Sequence, residues 1–210
     1  MKPDLLATLT KDKPLIICDV DEVVLHFVKP FEDYLRERKA ILKKDSFKLS
    51  GNILNQMTGK AISKEETSRF VQDFHVEAVD KQPLIEGAKD VLSQLSQSCQ
   101  ILFLTNVNDA LQPRREAHLH HLGLPYPVVA NEGSKADYVS MLHDHVQAGT
   151  FFIDDLPPHH HAVKSASPST MCIHFMADES LRRLVSIEEH IAIKTESWLD
   201  ILNVIDVQLS

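Results

Sequence analysis

Five short apolar runs, each bounded by polar or turn-forming residues, restrict the folds open to this chain. They are LIICDV (15–20), ILFLTN (101–106), PVVAN (127–131), TFFIDD (150–155) and TMCIHF (170–175). Most are continuous rather than alternating, which is typical of strands buried on both faces of a sheet. Helical periodicity occupies segments between them, such as 86–97 and 134–147. Strands that alternate with helices predict an α/β fold with a mostly parallel sheet.

The C-terminal part of the chain continues the alternation of strand and helix. The run HIAIKT (190–195) alternates apolar and polar residues, which predicts a short edge strand. The residues after it place Trp198, Ile201, Leu202 and Ile205 on one face of a final helix.

Residues 25–82 interrupt this alternation. They contain helical patterns, including a capping box formed by Ser63 and Glu66, with turn signals between the helical segments. A connection of this length without a function of its own is unusual inside a compact domain. We therefore predict an α/β core formed by residues 1–24 and 83–210, and a small, mainly α-helical cap domain formed by residues 25–82.

Composition excludes several classes of function. The formal net charge of −8 and the lack of a basic stripe argue against a nucleic-acid partner, because phosphate neutralisation needs clustered Lys and Arg. No apolar stretch approaches the ~18 residues of a membrane span, and the N-terminus does not read as a signal peptide. The three cysteines, Cys18, Cys99 and Cys172, fit neither a zinc pattern nor a disulfide framework. We predict a cytoplasmic protein without a membrane partner, and the oligomeric state stays open.

Polar side chains follow the predicted strands where each strand ends. In an open parallel sheet these ends share one edge, which is where ligands bind. Two carboxylates about 4 Å apart repel by about 4 kcal/mol at an effective dielectric near 20, so such a cluster calls for a cation. Carboxylate oxygens without His or Cys favour Mg²⁺. The residues concerned are Asp19, Asp21, Thr105, Asn106, Lys135, Asp154 and Asp155.

These residue types suit phosphoryl transfer. One carboxylate of the first strand can attack phosphorus, and the second, two residues on, lies close enough to act as general acid and then base. Thr105 and the backbone N–H of Asn106 can hold phosphoryl oxygens, while Lys135 offsets negative charge. Each residue taken alone also has a structural interpretation as a turn, cap or solvated residue.

Four motifs in order resemble the haloacid dehalogenase-like (HAD) hydrolase superfamily, in its phosphatase form. They are CDVDEVV, FLTN, SKADYV and FFIDD, within a match that runs from about residue 14 to residue 178. The resemblance implies a Rossmann-like three-layer α/β/α core with a five-stranded sheet of order 5-4-1-2-3, the five runs being numbered along the chain. It also implies a helical cap inserted after the first motif, which matches residues 25–82.

The resemblance further implies a Mg²⁺-dependent phosphomonoester hydrolase that acts on a small phosphorylated metabolite through an aspartyl-phosphate at Asp19. Asp21 is then the acid/base, with its backbone carbonyl on the metal, and Lys135 is the third catalytic residue. The implied phosphate-binding residues are Thr105, Asn106 and Lys135, and the implied metal ligands are Asp19, Asp21, Asp154 and Asp155. The alternatives are a phosphotransferase or phosphomutase of the same fold, and a non-catalytic binding protein that keeps it.

Two features bear on substrate choice. A carboxylate at Asp21 disfavours dehalogenation, because the dehalogenase branch lacks it. Many relatives read D-x-D-G-T, whereas this chain has Glu22 and Val23 in place of the last two residues. Histidines cluster in three places: His118, His120 and His121; His143 and His145; and His159–His161. Only the last group follows a predicted site residue closely enough to approach a substrate.

Overall fold

The computed structural model of the chain describes residues 3–184 and 191–210. The strands are β1 (Leu15–Cys18), β2 (Ala40–Leu42), β3 (Ile53–Asn55), β4 (Gln100–Thr105), β5 (Val128–Ala130), β6 (Thr150–Asp154), β7 (Met171–Phe175) and β8 (Ile191–Thr195). The α-helices are α1 (Pro3–Thr8), α2 (Val28–Glu37), α3 (Lys64–Ala78), α4 (Ala88–Leu95), α5 (Gln112–His121), α6 (Ala136–His145), α7 (Pro157–Ala166), α8 (Glu179–Arg182) and α9 (Trp198–Leu209). None of the helices in the described ranges combines the length and apolar character that crossing a membrane requires.

Six strands form one sheet, with the order β5-β4-β1-β6-β7-β8 and parallel pairing between all neighbours. The predicted five-stranded sheet of order 5-4-1-2-3 is therefore wrong as stated. The five apolar runs keep that relative order, but β8 pairs with β7 and extends the sheet at its edge. The predicted edge strand is thus part of the main sheet, and its expected first residue, His190, lies outside the described residues.

Strand β1 shows why the sheet needs a layer on each side. Ile16 and Cys18 pack into a cluster with residues of α4, α5 and α9, whereas Leu15 and Ile17 pack into a second cluster with α6 and α7. All four β1 side chains are fully buried. A strand covered on both faces must be apolar throughout, which explains its continuous pattern. The α/β fold with three layers is confirmed.

Residues 25–82, called the insert from here on, contain α2, α3 and the antiparallel pair β2–β3. Two helices lie where helical patterns were predicted. Ser63 caps α3 by accepting a hydrogen bond from the backbone N–H of Glu66 at 3.1 Å, which is one of the two bonds of the predicted capping box. The small sheet was not predicted. Phe31, Tyr34 and Phe74 form the centre of an apolar cluster made entirely of insert residues. That cluster supports a second domain, which stays a prediction.

Candidate functional site

The carboxyl ends of the central strands bring the predicted charged residues together. Asp19 follows β1 directly, and Asp154 ends β6, the neighbouring strand. Lys135 lies just before α6 and is fully buried. Its Nζ lies 2.7 Å from Oδ1 of Asp19 and 2.8 Å from Oδ2 of Asp154. One lysine therefore joins two strand ends that are 135 residues apart in sequence.

Three carboxylates surround this lysine. One oxygen each from Asp19, Asp154 and Asp155 lies within 4.8 Å of the others, and all three residues are buried. Three such groups beside a single ammonium leave an excess of negative charge out of water, which is costly unless a cation offsets it. An all-oxygen donor set of this kind fits a hard divalent cation such as Mg²⁺.

The pKa shifts of the three carboxyl groups reflect the same excess of buried negative charge. Burial raises the pKa of Asp19 to about 6, and Asp154 adds to the rise while Lys135 opposes it. Burial, together with the charges of Asp154 and Asp19, also raises the pKa of Asp155 well above its usual value. Burial acts in the same direction on Asp154, but Lys135 and His159 hold the pKa of that carboxyl below its usual range. Asp154 is therefore the ionised partner of the lysine.

Three histidines support the acidic pair at the end of β6. His159 Nδ1 lies 3.1 Å from both carboxylate oxygens of Asp154. His160 Nε2 contacts the backbone carbonyl of Asp154 at 3.0 Å, and His174 Nε2 contacts that of Asp155 at 2.8 Å. A carbonyl accepts, so both Nε2 atoms carry the proton. Two of the three histidines in the 159–161 group, His159 and His160, therefore lie at the site.

Asp21 occupies a different environment from the other carboxylates. Its oxygens accept from Nη2 of Arg115 at 3.0 and 3.2 Å and from Nε2 of Gln82 at 2.7 Å, and Nε2 of His75 lies 3.5 Å away. Burial favours the neutral acid, but Arg115, His75 and Gln82 outweigh it and hold the pKa of Asp21 well below its usual range. Asp21 is therefore ionised, and its carboxylate is outside the group of three described above.

The two predicted phosphate-binding residues at the end of β4 differ in exposure. Thr105 is fully buried, and its Oγ1 lacks a hydrogen-bond partner within the part of the chain that the structure describes. The side chain of Asn106 lines the cavity described below and is held by Asn131 and Gly133. An unpaired buried hydroxyl is costly, so Thr105 Oγ1 is suited to accept or donate a hydrogen bond when a ligand enters.

Glu22 stands where the D-x-D-G-T pattern of the resemblance has glycine. Its backbone has a φ of 60°, in the left-handed region that favours glycine. Its carboxylate accepts from the backbone N–H groups of Phe27 and Val28, at 3.0 and 2.8 Å. These bonds satisfy donors at the start of α2, the first helix of the insert. Through these bonds the Glu22 side chain connects the turn after Asp21 to the insert.

A cavity of about 230 Å³ opens onto the carboxylates between the core and the insert. Asp19, Asp21, Asp155, Lys135 and His159 line one end. Residues of the insert line much of the rest. A ligand in this cavity touches both parts of the chain, as expected for a binding site.

Sequence reasoning missed the groups that hold Asp21. Arg115 lies on α5, His75 on α3 and Gln82 at the end of the insert, so only tertiary packing brings them to β1. One signal was available: Arg115 lies one helical turn before the buried Leu119, which places it on the inward face of α5.

Comparisons with known proteins address the fold. No protein-family model matches the sequence, and no curated protein matches it. Among solved structures, a haloacid dehalogenase-like family hydrolase from Streptococcus pneumoniae matches with a TM-score of 0.62 and 13% identity, over 94% of this chain and 100% of the other. A HAD family hydrolase from Deinococcus radiodurans R1, with bound phosphate and sodium, gives 0.63 and 12% over 95% and 98%.

A third solved structure, YfnB from Bacillus subtilis bound to magnesium, has a TM-score of 0.60 and 15% identity, over 93% of this chain and 100% of the other. All three alignments cover nearly the whole of both chains. This chain therefore has the fold of the haloacid dehalogenase-like hydrolases.

Proposed function

We propose that the protein is a Mg²⁺-dependent phosphomonoester hydrolase in which Asp19 is the nucleophile. The observation that carries the proposal is the grouping of Asp19 with Asp154 and Asp155 around the buried ammonium of Lys135, at the inner end of a cavity. The fold supports it, because neighbours of the same fold are named hydrolases, one with bound phosphate and another bound to magnesium.

The residues present fit a divalent cation. Asp19, Asp154 and Asp155 supply the side-chain oxygens, and the backbone carbonyl of Asp21 is a further proposed ligand. When bound, the ion neutralises charge on the carboxylates and on the phosphoryl oxygens, which favours attack on phosphorus. Lys135 keeps Asp19 ionised and oriented through the 2.7 Å contact between Nζ and Oδ1.

The proposed reaction has two steps. A carboxylate oxygen of Asp19 bonds to phosphorus, the ester P–O bond breaks, and the leaving oxygen receives a proton. Water then attacks phosphorus, which releases inorganic phosphate and restores the Asp19 carboxylate. Asp21 takes up a proton from solvent when the substrate binds, donates it to the leaving oxygen, and so returns to the ionised form that its bonds from Arg115 and Gln82 favour. In the second step this carboxylate accepts a proton from the attacking water and releases it to solvent.

Hydrolysis of p-nitrophenyl phosphate by the whole chain tests the proposal. We expect turnover that EDTA abolishes and Mg²⁺ restores, and a loss of about a thousandfold or more in Asp19→Asn. Asp137→Asn, which neutralises an exposed carboxylate on α6, is the matched control and should keep full activity. Equal release of nitrophenol and phosphate with glycerol present separates hydrolysis from phosphoryl transfer. Turnover that is independent of Mg²⁺, or full activity in Asp19→Asn, contradicts the proposal.

A further inference from the structure

The far end of the cavity differs in chemistry from the end that holds the carboxylates. Beyond the carboxylates and Lys135, most of the surface that its walls expose is apolar, although Lys43, Lys44, Ser46, His75 and Asn106 also line it. The principal apolar residues are Phe27, Val28, Leu42, Phe47, Leu49 and Leu181. A ligand whose phosphate reaches Asp19 therefore places the rest of its body against an apolar surface.

This surface is one packed patch rather than scattered side chains. Val28 and Leu181 are buried in a cluster against which Phe27, Leu42 and Phe47 pack, so the insert and the core contribute to the same wall. Leu42 and Phe47 are themselves only partly buried and line the cavity. Part of the apolar surface of Leu42 and Phe47 is therefore exposed to a ligand in the cavity.

The polar groups near this wall are already paired. Nζ of Lys44 lies 3.0 Å from Oε1 of Glu32 and 2.8 Å from Oδ2 of Asp178. Lys43 pairs with Asp45. Because Lys44 is balanced by two carboxylates within the protein, it is not free to serve as a second anion site.

Ser46 also lines the cavity, and its hydroxyl accepts a hydrogen bond from Nδ2 of Asn52 at 2.8 Å. A ligand hydroxyl entering this end gives up its bonds to water and meets few open partners. Buried polar groups without partners are costly, so the wall selects against polyhydroxylated bodies.

Size adds a second limit. The cavity is small, about 230 Å³, which favours a short aliphatic chain or a single ring over an extended apolar body.

We propose that the substrate is a phosphate monoester with an apolar body, a short alkyl chain or one aromatic ring, rather than a sugar or polyol phosphate. This inference deepens the proposed function and rests on it. Hydrolysis breaks the P–O bond and consumes one water, giving the apolar alcohol or phenol and inorganic phosphate. Leu42 and Phe47 are the specificity-determining residues.

A matched pair of substrates tests the inference. Hexyl phosphate and glucitol 6-phosphate share a six-carbon chain and differ in the five hydroxyls of the second. We expect kcat/KM to be at least a hundredfold higher for hexyl phosphate, and to rise about fourfold for each methylene from ethyl to hexyl. Equal values, or a preference for glucitol 6-phosphate, overturn the inference.

Neighbouring residues of β2 provide a variant and its control. Leu42→Asn should lower the ratio of kcat/KM for hexyl phosphate to that for methyl phosphate about tenfold. Ile41→Asn should leave both values unchanged, because Ile41 is 44% exposed and lies outside the cavity wall. Since Leu42 also packs within the insert, Phe47→Ser in the following loop is the second variant, with the same expected result. An unchanged ratio in a folded Phe47→Ser protein contradicts the assigned wall.

A binding measurement separates failure of this inference from failure of the proposed function. Hexylphosphonate and 2,3-dihydroxypropylphosphonate, which are not hydrolysed, are titrated into the wild-type protein with Mg²⁺ in a calorimeter. At least tenfold tighter binding of hexylphosphonate supports the apolar site even if methyl phosphate is not turned over, in which case only the hydrolase assignment falls. Equal affinities overturn the inference whether or not the protein is a phosphatase.

Discussion

Nη2 of Arg115 donates to both carboxylate oxygens of Asp21, at 3.0 and 3.2 Å, although the two residues are 94 positions apart. Arg115 is fully buried and Asp21 is mostly buried. A buried charge is tolerated when it is paired, whereas removing one partner leaves the other charge buried and uncompensated. This contact therefore fixes α5 against the turn after β1 and keeps the proposed acid/base ionised.

Arg115→Met should lower the free energy of unfolding by about 3 kcal/mol at pH 7, because it leaves the Asp21 carboxylate without its main cation. The folded-state pKa of Asp21 is lowered, so the stabilisation is present above pH 3.8 and is lost as the pH falls through the folded-state pKa. The difference between variant and wild type should therefore shrink in acid. Urea unfolding of Arg115→Met, Asp21→Asn and the double variant measures the coupling, and strictly additive effects contradict a direct ion pair.

Asp21→Asn should separate the two chemical steps. With p-nitrophenyl phosphate the leaving group needs little protonation, so we expect a burst of about one nitrophenol for each active site. The following steady rate should fall at least a hundredfold, because water loses its general base. Stopped-flow absorbance at millisecond resolution records both phases. A uniform slowing without a burst would mean that Asp21 acts mainly before the covalent step.

Asp19 makes stability depend on pH in the opposite direction from Asp21. Folding raises the pKa of Asp19 from 3.8 to about 6. The stability that the protonated carboxyl contributes is therefore fully present below pH 3.8 and is lost as the pH rises through about 6. In EDTA, Asp19→Asn should therefore have a flatter stability profile between pH 4 and 7. It should equal or exceed wild type at pH 8, by up to about 3 kcal/mol. If urea unfolding shows the same pH dependence of stability for Asp19→Asn and wild type, the raised pKa of Asp19 is contradicted.

Glu22 combines an unfavourable backbone conformation with a favourable cap. Glu22→Ala loses the bonds to Phe27 and Val28 and keeps a φ of 60°, whereas Glu22→Gly loses the bonds but relieves the backbone. We expect both to be destabilised, and the glycine variant to be more stable than the alanine variant by about 1 kcal/mol. Thermal and urea unfolding compare them. Equal stabilities would show that the turn is unstrained.

The sequence was sufficient to place Asp19, Lys135, Asp154 and Asp155 together. Strand periodicity locates each strand end, and parallel strands direct those ends to one edge of the sheet. Their contacts in the structure agree with that reasoning, although their catalytic roles stay predictions.

The remaining features depend on packing that no local pattern encodes. Arg115, His75 and Gln82 converge on Asp21 only after α5 and the insert have packed against the core. The alternation of residues 190–195 predicted β8 as an edge strand, but its place beside β7 in the main sheet depends on long-range backbone pairing. The β2–β3 pair consists of three-residue strands, too short to produce a readable alternation.

The central claim is a covalent phosphoryl intermediate on Asp19. Acid-quenching the protein during turnover of acetyl phosphate with Mg²⁺, followed by borohydride, reduces an aspartyl-phosphate to homoserine. Peptide mass spectrometry then locates the reduced residue. The account predicts homoserine at position 19 in wild type, more of it in Asp21→Asn, and none when EDTA replaces Mg²⁺. Turnover without any reduced residue, or reduction at Asp21 or Asp154 instead, would contradict it.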